Sequence, residues 1–484
     1  MVAVPRFSIT QTPATVVIAI KLPFIRVSSS ETLIEGNKFT FSCSPYLLKL
    51  TFPGEIVDDE ARPAKGVYDP NDCNGTLTVT VHKAVEGAFE DLDMTTKLLQ
   101  PRALKKAAAA GPPLIEVVSS ETNGDDDDEE EEAVPISECG VAQQEDIVNL
   151  KVLAPRYGFN RGFSRCFENL REELKDMCEC HDVMDDIGAG EKRELREEVE
   201  EDKFDGDRYC ADYFANDGKF REHNEEGPDP FYLCASEYAG WWGDEGEGGD
   251  GDGNGKGNGN GDGDGIDELC ERVKGIAFDD KEQEALQSLP NRELLVEDDG
   301  PLLLGLIDVL FGYVYDCRMT EGESTVESPW TVSILSPTLS WFESWTLPGD
   351  DCKKVIVACA RRSLVYPYCR SAALACKILG DVGGILRGGR RSSLKGLLAV
   401  RGIFERSDTH YMLNRFYMND YCVWLQKLSE ERMAAFSKDF DDSLRALSAG
   451  GSWKPLKAAV NLDLLDLESQ VEESVVSSSN GSGG

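Results

Sequence analysis

The chain has 484 residues, of which 41% are hydrophobic, so it is long enough for about two to four domains with substantial cores. Its formal net charge of −39 repels nucleic acid and anionic membranes, which disfavours direct nucleic-acid binding and membrane association and favours a basic protein surface as the partner. The 15 cysteines show no repeated spacing, and residues 1–26 lack the long apolar core of a signal peptide. An intracellular protein with reduced thiols is therefore expected.

Residues 1–100 carry the pattern of short β-strands. Polar and apolar side chains alternate in Phe39-Thr40-Phe41-Ser42 and in residues 76–81, and residues 16–22 and 46–52 are runs of β-branched, aromatic and aliphatic residues of strand length. Turn signals that contain glycine or proline separate these runs. The pattern predicts an all-β, antiparallel sandwich.

The acidity is concentrated in the middle of the chain. Residues 101–300 contain 21 basic and 55 acidic side chains, whereas residues 301–470 contain 20 of each. Residues 101–150 include eight consecutive acids at 125–132, a pattern that repels itself and predicts a disordered linker. Residues 243–265 combine glycine with Asp, Glu and Asn, and predict a flexible insertion.

Residues 151–470 are predicted to form a mainly α-helical domain, and residues 471–484 a disordered tail. Pro301 is typical of a first helical turn, and residues 353–379 predict helix with an interruption before Pro367. Residues 414–427 predict another helix. Its aromatic stripe, with the leucine that extends it, consists of Tyr417, Tyr421, Trp424 and Leu428.

Motifs for catalysis are missing from the sequence. It contains no HExxH, GxSxG or GxxxxGK[ST] pattern and only four histidines. Cys178, Cys180 and His181 lack a second ligand pair at zinc-like spacing, so free thiols are expected there. The glycine-rich residues 383–396, with Arg390 and Arg391, predict a flexible basic loop between helices. No catalytic residue, metal or cofactor is expected, and the protein is predicted not to be an enzyme.

An aromatic-rich segment stands out in the helical part. Trp341, Phe342 and Trp345 lie within five residues of each other, shortly after Pro337. Large aromatic side chains can fill a core or can anchor a protein interface, and the sequence leaves both open. The stripe of Tyr417, Tyr421 and Trp424 has the same two interpretations.

The order of several motifs resembles that of the Shq-type H/ACA ribonucleoprotein assembly chaperones. The motifs are Thr320-Glu321-Gly322-Glu323, Val326-Glu327-Ser328, Leu335-Ser336-Pro337-Thr338-Leu339, Trp341-Phe342-Glu343-Ser344-Trp345-Thr346, Arg361-Arg362-Ser363-Leu364-Val365-Tyr366-Pro367 and Tyr417-Met418-Asn419-Asp420-Tyr421-Cys422-Val423-Trp424-Leu425-Gln426-Lys427. The N-terminal part resembles the CS domain of the family, through residues 45–54 and 89–94. Arg156-Tyr157-Gly158-Phe159-Asn160 opens the second domain where the family has it.

The resemblance implies a monomeric chaperone whose helical domain binds a dyskerin-type pseudouridine synthase on the surface that later holds guide RNA. The chaperone would act as an RNA mimic without binding nucleic acid, and RuvB-like ATPases are implicated in its release before the mature particle forms. The implied location is the nucleus, in the nucleoplasm, and the cytoplasm.

Because the domain after residue 301 is formally neutral, we expect the mimicry to use a few placed carboxylates among aromatic anchors. The candidate partner-binding residues are Glu321, Glu323, Glu327, Trp341, Glu343, Tyr366, Tyr417, Asp420, Tyr421 and Trp424. Two alternatives are a CS-domain co-chaperone of the large ATP-dependent heat-shock chaperone, and a general acidic chaperone that binds basic proteins through residues 125–132.

Overall fold

A computed structural model describes residues 3–23, 30–70, 75–100, 155–166, 175–180, 186–214, 276–366, 369–448 and 453–481. The predicted acidic linker at 101–150 and the predicted insertion at 243–265 lie outside these residues. The boundaries of the predicted domains therefore stay predictions, whereas the two architectures on either side of the linker can be compared with the sequence.

The N-terminal part is an antiparallel sandwich, as predicted. Its strands are β1 (Phe7–Gln11), β2 (Thr15–Lys21), β3 (Glu31–Glu35), β4 (Lys38–Cys43), β5 (Tyr46–Thr51), β6 (Ile56–Val57), β7 (Lys65–Asp69) and β8 (Thr76–Lys83). One sheet has the order β1-β2-β8, with β6 and β7 both pairing with the far edge of β8, and the other has the order β3-β4-β5. Every ladder between these strands is antiparallel.

The alternation seen in the sequence places one face of each sheet in a common core. Val16, Ile18 and Ile20 of β2 are fully buried, and so are Phe39 and Phe41 of β4. The alternate residues on these strands are less buried, because successive strand side chains point to opposite faces. The period-2 pattern therefore specifies which side of each strand packs inward.

The part after residue 155 is mainly helical, also as predicted. Its helices, together with one short helix before the linker, are α1 (Thr95–Leu98), α2 (Ala189–Lys203), α3 (Gly206–Asp212), α4 (Asp280–Ser288), α5 (Gly300–Met319), α6 (Ser328–Leu335), α7 (Pro337–Ser340), α8 (Cys352–Val365), α9 (Ala372–Arg387), α10 (Gly389–Glu405), α11 (Tyr411–Leu413), α12 (Asn419–Leu425), α13 (Glu430–Leu447), α14 (Lys454–Val460) and α15 (Leu464–Gly481). A π-helical turn at Asn414–Met418 joins α11 to α12. Pro301 lies in the first turn of α5, and α8 ends at Val365, before Pro367, as the sequence indicates.

Helix α5 is the centre of the helical core. It is long and apolar enough by composition to cross a membrane, but 89% of its most apolar stretch is buried inside the protein. Leu303, Leu306, Ile307 and Leu310 are fully buried. A helix that is apolar around most of its circumference is expected at the middle of a large core, and α6, α8, α9 and α10 pack around it.

Gly312 allows α5 and α6 to approach closely. A Cβ atom built at this position would lie 2.5 Å from the Val332 carbonyl oxygen, which belongs to the backbone and cannot move aside. We expect Gly312→Ala to lower the free energy of unfolding by about 1–3 kcal/mol, as overpacking does in tight cores. Urea unfolding followed by tryptophan fluorescence measures the change.

Gly380 of α9 provides the matched control for Gly312. No atom lies within 4 Å of a Cβ built at Gly380. Gly380→Ala is therefore expected to stabilise the protein by about 0.5–1 kcal/mol, since alanine restricts the unfolded chain and favours helix. Equal effects of the two substitutions would contradict the close helix contact.

The two architectures are joined by a buried contact. Met94, just after the sandwich, is fully buried in the core of the helical part. Arg390 and Arg391 at the start of α10 form ion pairs with Asp91, and Arg391 also pairs with Asp93. We call this set of four charged side chains the interdomain clamp.

The prediction of a flexible basic loop at residues 383–396 is wrong. Helix α9 continues to Arg387 and α10 begins at Gly389, so the chain only turns at Gly388, with Gly389 in the left-handed region at φ 73°. The two arginines are buried because the carboxylates of Asp91 and Asp93 neutralise them. A pairing partner almost 300 positions away gives no signal in the local sequence.

The predicted disorder of residues 471–484 is also wrong as far as Gly481. Helix α15 extends from Leu464 to Gly481. The hydroxyl groups of Tyr209 and Tyr213 donate to Glu468 (2.6 Å) and Glu472 (3.1 Å), which fixes the helix against α3. These polar contacts, which the serine-rich sequence does not indicate, hold the helix in place.

Candidate functional site

The motif at residues 335–346 surrounds a single buried carboxylate. Asp308 of α5 accepts hydrogen bonds from Thr338 Oγ1 (2.7 Å) and Trp345 Nε1 (2.9 Å), from the Thr338 amide (3.3 Å), and from the Ser336 hydroxyl. Trp345 and Asp308 are both buried. The motif therefore ties the segment after α6 to the central helix, which is a structural role.

Asp308 makes the stability of the helical core depend on pH. Burial raises the pKa of Asp308 to about 7, although the hydrogen bonds from Ser336, Thr338 and Trp345 oppose this rise. Because the folded state then binds more protons than the unfolded state between pH 4 and 7, the contribution of Asp308 to stability falls as pH rises through this window.

The asparagine variant isolates that contribution, since its side chain does not titrate. We expect the free energy of unfolding of the parent to fall relative to that of Asp308→Asn from about pH 4 to about pH 7, and the difference to be constant above it. Urea titrations at several pH values measure it. A difference that is the same at every pH would contradict the raised pKa.

Trp341 is part of a second buried network. Its indole nitrogen donates to Glu179 Oε2 at 2.7 Å, and Arg362 donates to the same oxygen at 2.6 Å. Arg362 also pairs with Glu200, and both side chains are fully buried. Burial alone would raise the pKa of Glu179. Nearby positive charges and hydrogen bonds, above all the Arg362 guanidinium, outweigh burial and lower this pKa to about 2. Trp341 is thus a core residue and is not placed for contact with a partner.

Glu343 is bound within the protein. Arg193 of α2 donates to both its carboxylate oxygens, at 2.9 and 3.0 Å, and also to Asp350 at 2.6 Å. The Glu343 side chain is buried. Because Arg193 already pairs with both oxygens of this carboxylate, Glu343 stabilises the fold and is not available to mimic a phosphate, contrary to the prediction from the sequence.

The aromatic stripe of the π-helical turn and α12 faces the core. Tyr417, Tyr421 and Trp424 are all buried. Phe159 makes edge contacts with the rings of Tyr421 (5.0 Å between centroids) and Trp424 (6.1 Å), and the Tyr421 hydroxyl donates to the Leu302 carbonyl at 3.0 Å. The geometry therefore supports the interpretation that the stripe fills the core, and not the one that it anchors an interface.

Asp420 and Tyr366 are also engaged in internal contacts. Asp420 is buried and accepts a hydrogen bond from Arg292 Nε at 2.8 Å. Tyr366 is half-buried, and the Arg362 guanidinium lies 4.7 Å from its ring centroid. Lys203 approaches the same ring at 4.9 Å.

A cleft of about 580 Å³ opens near the N-terminal end of α5. Its wall includes Glu343, Tyr417 and Tyr421 from the predicted set, and Arg156, Arg161, Glu297 and Asp298 are other charged residues of its lining. Glu343 and Tyr421 already form hydrogen bonds within the protein. Few polar groups of the predicted partner-binding residues are therefore available in the cleft for contact with a partner.

Three predicted acids remain on the surface, at the opposite end of α5. Glu321, Glu323 and Glu327 are exposed in the connection between α5 and α6. Glu321 has φ 54° and Gly322 has φ 81°, so a tight left-handed turn projects the connection away from the helix. Helix α5 is about 30 Å long. The cleft lies beside its first turns and this connection follows its last turn, so the structure divides the predicted residues into two places.

The basic partners of the buried acids are not evident from the local sequence. Arg193, Arg292 and Arg362 hold Glu343, Asp420 and Glu200, respectively. One signal existed: 20 acidic and 20 basic side chains in residues 301–470 are compatible with extensive internal pairing. Within the described ranges, no group of three or more His, Cys, Asp or Glu side chains could hold a metal ion, and the expected absence of a metal stays a prediction. Cys178 and Cys180 are buried, and His181 lies outside those ranges.

Comparison with known proteins agrees with both architectures. Residues 4–99 match the family model described as SHQ1-like, CS domain, and residues 269–448 match the one described as SHQ1 protein, Shq1 domain. The chain is 35% identical to a Protein SHQ1 homolog of Xenopus tropicalis over 465 residues, which is 93% of this chain and 67% of the relative. It is 32% identical to the homolog of Mus musculus, covering 96% and 74%, and 28% identical to Protein shq1 of Schizosaccharomyces pombe, covering 98% and 97%.

Proposed function

Because the chain belongs to the SHQ1 family, with an N-terminal CS domain, we propose that it is an assembly chaperone for box H/ACA ribonucleoproteins. In this proposal it binds the RNA-binding surface of a dyskerin-type pseudouridine synthase and leaves before the mature particle forms. The observation that carries the proposal is the similarity to SHQ1 relatives along almost the whole chain, through the sandwich and the helical core alike.

The charge of the chain supports a basic partner surface. A net charge of −39 attracts the lysine and arginine side chains that otherwise meet phosphates, and it speeds the encounter of the two proteins. Carboxylates can form charge-assisted hydrogen bonds with those side chains. Among the predicted acids, Glu321, Glu323 and Glu327 are the ones exposed for this purpose.

The protein would act by binding and not by catalysis. We place its action in the nucleoplasm and the cytoplasm, as a monomer, with RuvB-like ATPases as the agents of release. Direct nucleic-acid binding is not part of the proposal, since the acidic surface repels phosphates.

Binding of the purified synthase to the full-length chain tests the proposal. The full chain is required because Met94 and the interdomain clamp join the CS domain to the helical core. After treatment of both proteins with RNase, we expect a one-to-one complex by calorimetry or analytical ultracentrifugation at moderate salt. Absence of a complex under these conditions would contradict the proposed function.

The two alternatives predict other partners and are tested by other measurements. A CS-domain co-chaperone would bind the large heat-shock chaperone and suppress its ATPase activity. A general acidic chaperone would lose its basic clients on deletion of residues 125–132, whereas the proposed function predicts that the same deletion leaves binding of the synthase intact.

A further inference from the structure

We propose that an exposed patch at the C-terminal end of α5 binds a surface rich in arginine and lysine on the partner protein. The patch comprises Val326, Trp330 and Tyr411 with the acids Glu323 and Glu327; we call it the α5–α6 patch. The proposal rests on the proposed function, and it assigns the contact to a place outside the buried motif cluster.

Hydrogen bonds hold the segments that carry the patch together. Arg406 donates to Ser324 Oγ at 2.8 Å, which holds the segment after α10 against the α5–α6 connection. His410, which precedes Tyr411, lies 3.1 Å from Ser333 Oγ through Nε2, and Ser333 in turn donates to the Trp330 carbonyl at 3.0 Å. These bonds hold the start of α11, which carries Tyr411, against α6, which carries Trp330, although 81 positions separate the two residues.

The patch contains large apolar side chains that are exposed, although such side chains usually lie in a core. The exposed fractions are 91% for Val326, 37% for Trp330 and 46% for Tyr411. Elsewhere in this region large apolar residues are buried, as in Val332, Leu335 and Leu413. Exposed aromatic residues in a polar surround are typical of protein interfaces, where Trp and Tyr contribute much of the binding energy.

The surrounding charge determines the kind of partner. Glu321, Glu323, Glu327, Glu405 and Asp408 are exposed in the segments that form the patch or adjoin it, and Arg406 and Arg415 are exposed basic residues of the same segments. The resulting negative potential favours a basic surface. A guanidinium group can also lie over the Trp330 or Tyr411 ring while it pairs with a carboxylate, and this combination favours arginine.

The same charge argues against other occupants of the patch. A second copy of this chain carries a net charge of −39 and would be repelled at short range. Residues 215–275 of the chain have an acidic net charge and are disfavoured for the same reason. A basic partner protein is the occupant that the charges favour.

Two kinds of variant test the patch, each made in the full-length chain. Glu323→Lys combined with Glu327→Lys reverses the charge, and Trp330→Ala removes the aromatic anchor. Val326→Arg provides a second test of the apolar part in case Trp330→Ala unfolds, because the Val326 side chain is almost fully exposed. With the purified synthase, we expect each change to weaken binding by at least about tenfold.

A matched control exists on α2. Glu194 and Glu198 are exposed and four positions apart, like Glu323 and Glu327. Glu194→Lys combined with Glu198→Lys makes the same change in net charge, and we expect it to weaken binding by less than about threefold, through long-range attraction alone.

The outcomes separate the two proposals. If the parent binds the synthase and folded patch variants bind equally well, the patch assignment is overturned and the proposed function stands. A parent that does not bind overturns both. A patch variant that alters self-association while binding of the synthase is unchanged would identify the patch as a contact between copies and would also overturn the assignment.

Discussion

Arg362→Ala is expected to lower the free energy of unfolding by about 3–5 kcal/mol, the largest effect predicted for a single side chain in the helical core. The Arg362 side chain is fully buried and donates to Glu200 Oε1 (2.8 Å), Glu179 Oε2 (2.6 Å) and the Ile334 carbonyl (2.6 Å). Removal of Arg362 deletes one positively charged partner of Glu200, which is itself fully buried. The three acceptors also each lose a hydrogen bond.

Tryptophan fluorescence during urea unfolding measures this loss. All seven tryptophans lie beyond residue 240, so the signal reports the helical part and not the sandwich. Arg387→Ala is the control, since Arg387 is largely exposed and pairs with Asp441 at the surface. Such pairs contribute about 0–1 kcal/mol. A similar midpoint for the two variants would show that the buried network does not stabilise the core.

Reversal of the interdomain clamp should release the CS domain from the helical core. In Arg390→Glu combined with Arg391→Glu, four carboxylates would face one another where the native contact has two ion pairs to Asp91 and a third to Asp93. Loss of buried pairs of this kind costs about 3–5 kcal/mol, and the new repulsion adds to it. Glu430, which also pairs with Arg390, adds a fifth carboxylate, and the positive charge of Lys97 beside Asp91 offsets only part of the repulsion, so we expect the contact to open.

Hydrogen–deuterium exchange over residues 94–100 detects the opening. The Lys97 amide donates to Gln426 Oε1 at 3.2 Å and Thr96 Oγ1 donates to the Leu286 carbonyl at 2.5 Å, both across the contact, so opening should raise exchange around Lys97. The Gln100 amide, which donates to the Lys49 carbonyl within the CS domain, should change less. Arg6→Ala is the control, because Arg6 pairs with Glu284 across the same boundary but both side chains are exposed. Unchanged exchange in the reversed variant would mean that Met94 and the hydrogen bonds hold the contact without the clamp.

Local patterns predicted the fold well. The alternation around Phe39 and Phe41 identified β4, the position of Pro301 identified the start of α5, and Pro367 marked the end of α8. Each of these signals acts within a few residues, through strand periodicity or through the missing amide hydrogen of proline. The same kind of signal was absent for α15, whose helix is held by tyrosines of α3.

The candidate site was harder to predict, because the fate of a charged side chain depends on partners far away in the chain. Glu343 and Glu323 look alike in the sequence, yet Glu343 is held by Arg193 and Glu323 is exposed. Trp341 and Trp330 differ in the same way, since Trp341 has Glu179 as a buried partner while Trp330 remains partly exposed. Composition gives only the total charge of the chain, whereas the tertiary structure decides which acids remain exposed and available for contact.

Competition with guide RNA tests the central claim most directly. The purified synthase is saturated with labelled H/ACA guide RNA and titrated with the full-length chain at constant, moderate salt, because affinities for RNA depend strongly on ionic strength. If the chain covers the RNA-binding surface, it displaces the RNA completely, and the apparent affinity of the chain falls in proportion to the RNA concentration. Formation of a ternary complex of synthase, RNA and chain, with no RNA released, would contradict the account.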